Sequence, residues 1–348
     1  MINSFLAIIS VISCSILYKK TKKNTVFTLI LVYIGLAIGI ITDGDIRRSI
    51  ANCEDLNKLK DKSIKAVFIV NPNNPASIAL NDDCRNTLKN IVTKYNPNLM
   101  IITDDVYCTF VNNFKSVISD LPYNTIGVYS LSKYFGVTGW RLGAIILNEN
   151  NIYNKLIGAL PETHKDTLNK RYCHLSSNPE ELSFMDRLVA DSRQVALNHT
   201  AGLSTPQQVQ MAFFCGFALV DLENNYKNLT IDICKRRKEL LCEGLELKVF
   251  NNPHYASYYT EINILDWARI EYGIDFAKFI EENYTPFDIL YDLAKNYSII
   301  LLNGDGFASS RWGLRVSLAN LNDESYLEIG KTLRFIFNTL NQHWESSK

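Results

Sequence analysis

Three short apolar runs, each followed at once by polar residues, constrain the fold of this chain more than any other feature. The runs cover residues 66–70, 99–103 and 126–130, and a helical pattern near 81–95 separates the first two. Continuous apolar runs of this length are typical of strands buried in a parallel sheet. Open α/β sheets bind ligands at the C-terminal ends of their strands, so the polar residues after each run are candidate site residues.

A Ser-Leu-Ser-Lys motif at 130–133 follows the third run, and Arg141 lies eight residues beyond its lysine. A lysine on a fixed element can form a Schiff base once its amine has lost its proton. A phosphate monoester needs several donors, preferably including a bidentate arginine. Pyridoxal phosphate requires both kinds of group in one place. The motif therefore predicts a pyridoxal-phosphate site built from Ser130, Ser132, Lys133 and Arg141.

The first two runs end in motifs that complete this prediction. Asp104 opens Asp-Asp-Val-Tyr at 104–107, and Asn74 lies in Asn-Pro-Asn-Asn-Pro at 71–75. A carboxylate at a strand end could pair with a protonated pyridine nitrogen and keep the ring an electron sink. Asn74 and Tyr107 could donate to the phenolic oxygen of the ring. Taken alone, Asp104 could cap a helix, Asn74 could form an Asx turn and Lys133 could be a solvated surface lysine. The order of the three motifs along the strand ends favours the cofactor site.

Together these motifs resemble the fold-type I pyridoxal-phosphate enzymes, the aspartate aminotransferase superfamily. The resemblance implies an α/β fold: a three-layer large domain with a parallel-rich sheet at 57–242, and an α+β C-terminal subdomain at 243–348. It implies that Lys133 is the catalytic lysine and that Arg315, within Trp-Gly-Leu-Arg-Val-Ser-Leu-Ala, binds the substrate α-carboxylate. Asp305 lies in a turn near Arg315 and is expected to face solvent. The implied cofactor-binding residues are Asn74, Asp104, Tyr107, Ser130, Ser132, Lys133 and Arg141.

Three features together narrow the resemblance to bifunctional aspartate 4-decarboxylase/aspartate aminotransferase. They are a largely helical insertion at about 160–205, the Asp-Asp-Val-Tyr form of the motif at 104–107 and the Arg-Val-Ser-Leu-Ala-Asn-Leu ending at 315–321. That family converts aspartate to alanine and carbon dioxide, and it also transaminates aspartate; the substrates implied are small amino acids and 2-oxo acids. The resemblance implies a homodimer or a larger homo-oligomer. Two alternatives remain open at this point. One is a plain amino-acid aminotransferase, and the other is a non-catalytic remnant or a membrane-tethered interaction protein.

The first fifty residues form an atypical apolar head. Residues 1–18 and 24–42 carry no charge, and a lysine-rich pentapeptide at 19–23 divides them. Each run is close to the length that spans a bilayer, so residues 1–42 could be a membrane segment or non-native sequence. The Gly-rich phosphate turn of the superfamily has no counterpart before Asn74. The sequence therefore predicts an N-terminally truncated member with impaired activity, cytoplasmic or, alternatively, anchored by its head.

The net charge and the spacing of the cysteines argue against a nucleic-acid-binding protein and against a metal-binding protein. The formal net charge is +0, and no basic arm with interleaved aromatic residues occurs, so nucleic acid is not expected as a partner. The eight cysteines form no C-x-x-C pair and no metal spacing, which is typical of reduced thiols, and no metal is predicted. The chain from about 205 to 241 is expected to be one long helix, with the basic residues 235–238 on its solvated face.

Overall fold

The computed structural model describes residues 55–194, 203–249, 252–307 and 309–348. The apolar head therefore lies outside the described residues, and the prediction of a membrane segment at 1–42 with it. Among the helices that are described, none combines the length and the apolar character needed to cross a bilayer. The described part of the chain also holds no cluster of three or more side chains suited to a metal ion.

The strands within the described residues form two sheets. The first sheet has the order β1-β2-β3-β4; β1, β2 and β3 are parallel and β4 is antiparallel to β3. The second sheet is antiparallel, with the order β5-β7-β6. The strands are β1 (Ala66–Val70), β2 (Met100–Asp104), β3 (Thr125–Ser130), β4 (Gly143–Leu147), β5 (Tyr259–Asn263), β6 (Leu302–Asn303) and β7 (Gly313–Ser317). The predicted parallel-rich α/β fold is confirmed.

Twelve α-helices lie in the described ranges. They are α1 (Asp82–Lys94), α2 (Val117–Asp120), α3 (Leu131–Tyr134), α4 (Ile152–Gly158), α5 (Glu162–Tyr172), α6 (Phe184–Gln194), α7 (Thr205–Val220), α8 (Asn225–Leu245), α9 (Ile264–Glu271), α10 (Ile274–Asn283), α11 (Pro286–Tyr297) and α12 (Asp323–Ser346). Helix α1 begins where the sequence predicts, because the Asn81 side chain accepts a hydrogen bond from the Cys84 amide and two aspartates follow in the first turn.

Apolar layers cover both faces of the first sheet. On one face, Leu88 and Ile91 of α1 pack with Leu99 and Ile101 beside and within β2. On the other face, residues of β3 pack against Ile152 and its neighbours in α4. Burial of both faces explains why these strands are continuous apolar runs without an alternating pattern. The polar ends of the strands are left to define the site.

The second sheet belongs to a separate core formed by α8, α9, α10, α11 and α12. Helices α8 and α12 approach closely at two glycines. A Cβ on Gly244 would lie 2.4 Å from the Leu327 carbonyl oxygen, and a Cβ on Gly330 would lie 2.4 Å from that of Leu241. This core holds β7, and therefore Arg315, at a fixed position.

Three expectations from the sequence are wrong. The predicted long helix is broken into α7 and α8, because Asn224 adopts a left-handed conformation and the Asp221 carboxylate caps the amides of the next turn. Arg237 and Lys238 are not solvated: Arg237 pairs with Asp323, and Lys238 lies 3.7 Å from the centre of the Tyr255 ring. Five of the described cysteines are free thiols, but Cys84 is disulfide-bonded.

Candidate active site

The loops after β1, β2 and β3 meet at one edge of the first sheet. The Asn71 amide donates to the Asp104 carbonyl at 2.9 Å, and the Asp105 amide donates to the Val128 carbonyl at 2.9 Å. These bonds continue the parallel ladder into the loops, so all three sequence motifs emerge side by side. This edge is the C-terminal edge of the parallel strands, where open α/β sheets bind ligands.

Two adjacent aspartates at the end of β2 differ in their surroundings. The Asp105 carboxylate is buried and accepts hydrogen bonds from the Thr103 and Ser116 hydroxyls. The Asp104 carboxylate accepts one hydrogen bond, from the Val106 amide at 3.2 Å. Asp105 is therefore committed to holding the loop, whereas Asp104 retains acceptor capacity for a ligand.

The electrostatic environment of Asp104 is unusual for a carboxyl. Burial is the main cause, and the neighbouring Asp105 adds to it; together they raise the pKa of Asp104 to about 6, although the bond from Val106 opposes the rise. No lysine or arginine in the described ranges forms an ion pair with it. A carboxyl in this state would gain most from a cationic N–H group placed against it.

Asparagine side chains shape the loop after β1. The Asn71 and Asn73 side-chain oxygens accept the amides of Leu80 and Ile78, at 2.9 and 2.8 Å. The side-chain nitrogens of both residues are buried without a hydrogen-bond partner. The loop is thus fixed from within, and it presents Asn74 toward the second sheet.

Helix α3 begins at the end of β3 and carries Lys133. Ser130 caps it by accepting the Ser132 amide, and the two serine hydroxyls lie 2.9 Å apart. Lys133 Nζ lies 5.8 Å from the centre of the Tyr258 ring. Arg141 has a left-handed backbone, φ 57°, and its guanidinium donates to the Thr138 carbonyl at 2.9 Å. In the described structure Arg141 forms no hydrogen bond with either serine. Ser130, Ser132, Lys133 and Arg141 therefore lie near one another along the chain, but hydrogen bonds do not connect all four.

Arg315 joins the second sheet to the loop after β1. Its Nη1 donates to Asn74 Oδ1 at 3.2 Å, and its Nε is buried without a hydrogen-bond partner. The guanidinium lies between two rings, 4.4 Å from the centre of Tyr259 and 4.0 Å from that of Phe307. Asp305 is exposed, as predicted. Arg315 is thus rigidly placed and keeps donors available for an anion.

Sequence reasoning missed the aromatic cluster that connects these residues. Tyr107 lies 5.3 Å from Tyr258 and 5.5 Å from Tyr259, measured between ring centres. Burial, the nearby Tyr259 hydroxyl and the Asp104 carboxyl raise the pKa of Tyr107 well above its usual range, so this hydroxyl remains protonated and able to donate. The Tyr-Tyr pair at 258–259 carried no signal of its own, because its role depends on contacts with residues more than a hundred positions earlier.

The fold-family resemblance raises the question of whether these residues suit pyridoxal phosphate. Asp104 lacks a cationic partner, the Tyr107 hydroxyl is held protonated, and an amine, two hydroxyls and a guanidinium surround one turn. A pyridine nitrogen, a phenolic oxygen, an aldehyde and a phosphate are the groups that this donor and acceptor set would bind. The residues present therefore fit this cofactor.

Comparison with known families agrees with the cofactor predicted from the motifs, and the match covers most of the chain. Residues 50–331 match the family model for aminotransferases of class I and II. The chain belongs to this family. Members of the family depend on pyridoxal phosphate, in agreement with the cofactor predicted from the motifs.

A bifunctional aspartate aminotransferase and L-aspartate beta-decarboxylase from a Pseudomonas species is 43% identical over 292 residues, which are 84% of this chain. The chain spans 55% of the length of that relative. An aspartate aminotransferase from Sulfolobus acidocaldarius is 35% identical over 106 residues, 29% of this chain and 26% of that protein.

Solved structures agree with the fold. An aromatic aminotransferase from Pyrococcus horikoshii superposes with a TM-score of 0.58 at 19% identity, covering 83% of this chain and 64% of that one. An aspartate aminotransferase from Thermotoga maritima superposes with a TM-score of 0.52 at 19% identity, covering 83% and 60%. At this level of identity the similarity concerns the fold alone.

Proposed function

We propose that this chain binds pyridoxal phosphate at the C-terminal edge of its first sheet. Lys133 would attach the cofactor covalently through Nζ, and Asp104 would hold a proton on its pyridine nitrogen. Asn74 and Tyr107 would bind its phenolic oxygen. The phosphate would be bound by Ser130, Ser132 and Arg141. The observation that best supports this proposal is the hydrogen bond from Arg315 to Asn74, because one ligand could then contact both side chains.

We further propose that the activity is the conversion of aspartate to alanine and carbon dioxide, with transamination of aspartate as a side activity. Support comes from 43% identity to a bifunctional protein over 84% of this chain. When bound, the cofactor would delocalise the electrons released at the carbons of the substrate. Arg315 would bind the α-carboxylate in a bidentate manner. Lys133 would move the proton at the α-carbon as the general base and return it as the general acid.

The test traces the β-carboxyl carbon of aspartate. Purified chain, saturated with pyridoxal phosphate, is given aspartate with carbon-14 in its β-carboxyl group. The proposal predicts that alanine and labelled carbon dioxide appear in equal amounts and that the Lys133→Ala variant releases neither. With 2-oxoglutarate added as the amino acceptor, formation of oxaloacetate and glutamate without alanine would instead support a plain aminotransferase. If the lysine-bound cofactor is present but neither product forms, the chain is not an enzyme for aspartate.

The exposed face of α7 supports a homodimer, which is our proposal for the partner. Helix α7 contains no fully buried residue along its 16 positions. Phe213, Leu219 and Val220 are 68%, 77% and 75% exposed, and Leu222 just after the helix is 86% exposed. Large apolar side chains exposed in this number on one helix are typical of an interface. A second copy of this chain would cover it, since aminotransferases of this class are typically homodimers.

Replacing both Phe213 and Leu219 with glutamate is expected to convert the dimer to a monomer. Two charges buried in an apolar interface without partners cost several kcal/mol, which raises the dissociation constant of the dimer by several powers of ten. Sedimentation equilibrium measures the change. Ile300→Glu is the matched control, because Ile300 is equally exposed, at 82%, but lies in the C-terminal subdomain. A wild-type chain that is monomeric at tens of micromolar would contradict the proposal.

A further inference from the structure

The short helix that carries Lys133 is held from outside the sheet by aromatic side chains. Helix α3 has only four residues, too few to be stable alone. The Tyr226 hydroxyl, in the first turn of α8, donates to the Tyr134 carbonyl at 3.0 Å. The Phe135 ring stacks on Phe214 of α7 at 4.8 Å and on Tyr226 at 5.8 Å, between ring centres. Lys133 is therefore followed at once by two residues that are fixed to the α7–α8 hairpin.

The same hairpin also holds the turn that carries Arg141. Gln207, in the first turn of α7, donates from Nε2 to the Trp140 carbonyl at 2.9 Å. Its amide cannot rotate freely, because Oε1 accepts hydrogen bonds from the amide and the hydroxyl of Ser204, both at 3.0 Å. The capping box of α7 thus aims the Gln207 donor at the residue before Arg141.

Both contacts lie on one rigid element. Gln207 and Phe214 are seven positions apart, so they lie on the same face of α7, two turns from each other. Asp221 caps the first turn of α8 through the amides of Asn225 and Tyr226, at 2.9 Å each. The first turn of α8 is therefore fixed relative to the end of α7.

We infer that the α7–α8 hairpin sets the spacing between Lys133 and Arg141, with Gln207 and Tyr226 as positioning residues. The inference rests on the proposed function, in which one ligand must reach both groups at once. An aldehyde and a phosphate on one ring stand at a fixed separation, so an amine and a guanidinium that bind both gain affinity when their own separation is fixed. Helix α3 and the Arg141 turn also contact each other directly, because the Thr138 hydroxyl donates to the Ser132 carbonyl at 3.3 Å. The hairpin holds each of them at a second point, from outside the sheet.

Loss of Gln207 and loss of Tyr226 should change ligand binding in different ways. Gln207 acts through the Arg141 turn, so its loss should weaken a ligand that carries a phosphate and spare one that lacks it. Tyr226 acts through the Lys133 helix, so its loss should weaken both ligands. A substitution that merely loosened the fold would not separate pyridoxal phosphate from pyridoxal.

The first experiment titrates each variant with pyridoxal phosphate and with pyridoxal, and it follows the lysine-dependent absorption band. Gln207→Ala is expected to weaken pyridoxal phosphate about five- to tenfold, the usual effect of one lost hydrogen bond, and to leave pyridoxal unchanged. Tyr226→Phe is expected to weaken both by a similar factor. The controls are Gln208→Ala, whose side chain donates to the nearby Leu203 carbonyl, and Tyr291→Phe, at an exposed position of α11. Equal weakening of both ligands by Gln207→Ala, or no weakening, would overturn the inference.

A second experiment needs no cofactor. Amide hydrogen exchange is measured across 131–141 in the cofactor-free chain. Gln207→Glu keeps an acceptor for Ser204 but removes the donor to Trp140, so exchange near 140–141 is expected to rise about fivefold, as in Gln207→Ala. Exchange that matches the wild type in Gln207→Glu would overturn the inference. A wild-type chain without a lysine-dependent band would refute the cofactor proposal by itself, and the exchange result would still decide whether the hairpin holds this turn.

Discussion

Asp104→Asn is expected to stabilise the cofactor-free chain at pH 7.5 and, at the same time, to weaken its binding of pyridoxal phosphate at least about a hundredfold. The carboxyl is disfavoured in its charged form when the site is empty of a cation, because burial raises its pKa to about 6. The bound pyridinium would reverse this penalty. Removing one partner of such a pair costs about 3–5 kcal/mol, which corresponds to a factor of a hundred or more.

The pH dependence of this effect has a definite sign. The pKa of Asp104 rises from 3.8 to about 6 on folding, so the folded chain binds more protons than the unfolded chain between these values. The contribution of Asp104 to the stability of the wild type therefore falls as the pH rises from about 4 to about 6, by about 3 kcal/mol. The asparagine variant lacks this fall. Urea denaturation should find it more stable above pH 6 and little different from the wild type near pH 4.

Asp105→Asn is the matched control for this prediction. The Asp105 carboxylate accepts from the Thr103 and Ser116 hydroxyls, and an amide nitrogen cannot accept from either. This variant is expected to lose about 1–3 kcal/mol of stability at pH 7.5, the cost of leaving buried polar groups unpaired. If Asp104→Asn were also less stable at pH 7.5, Asp104 would be a structural residue like its neighbour.

Arg315→Lys is expected to abolish the spectral response to aspartate at millimolar concentrations while the lysine-bound cofactor band is retained. The guanidinium is held by Asn74 and by the rings of Tyr259 and Phe307 in a geometry that a flexible ammonium cannot reproduce. The loss of a bidentate charged contact corresponds to about a hundredfold in affinity. Aspartate titrations that follow the cofactor absorbance measure this change.

Arg311→Lys serves as the control for Arg315, because Arg311 lies four positions earlier and is exposed. It should bind aspartate as the wild type does. If Arg315→Lys retained normal aspartate binding, the substrate carboxylate would have to be bound elsewhere. If it lost the cofactor band as well, Arg315 would support the cofactor site through Asn74 and would not be a substrate residue alone.

Local sequence patterns were sufficient to predict the first sheet and the residues along its edge. Strand β1 is predicted at its observed bounds, and β2 and β3 within one residue of theirs. Buried parallel strands are continuous apolar runs, and their polar ends lie together whatever the rest of the chain does. The same reasoning explains why Asn74, Asp104 and Lys133 could be assigned to one edge without any knowledge of the second sheet.

Features that depend on distant contacts could not be predicted in this way. The break between α7 and α8 results from the cap that Asp221 provides and from the left-handed Asn224, neither of which interrupts the apolar pattern. Lys238 is a charged residue in a basic run, yet it lies on the Tyr255 ring. The contacts of Tyr258 with Lys133 and Tyr107 form only when the two sheets come together.

The most direct test of the cofactor site is a visible absorption spectrum of the purified chain with added pyridoxal phosphate, beside the Lys133→Ala variant. Lys94→Ala, which removes an exposed lysine at the end of α1, is the control. We predict a band that the wild type and Lys94→Ala share, that Lys133→Ala lacks, and that borohydride reduction fixes to Lys133. A folded wild type with no band, or a band that survives in Lys133→Ala, would contradict the assignment of Lys133 and the cofactor site built around it.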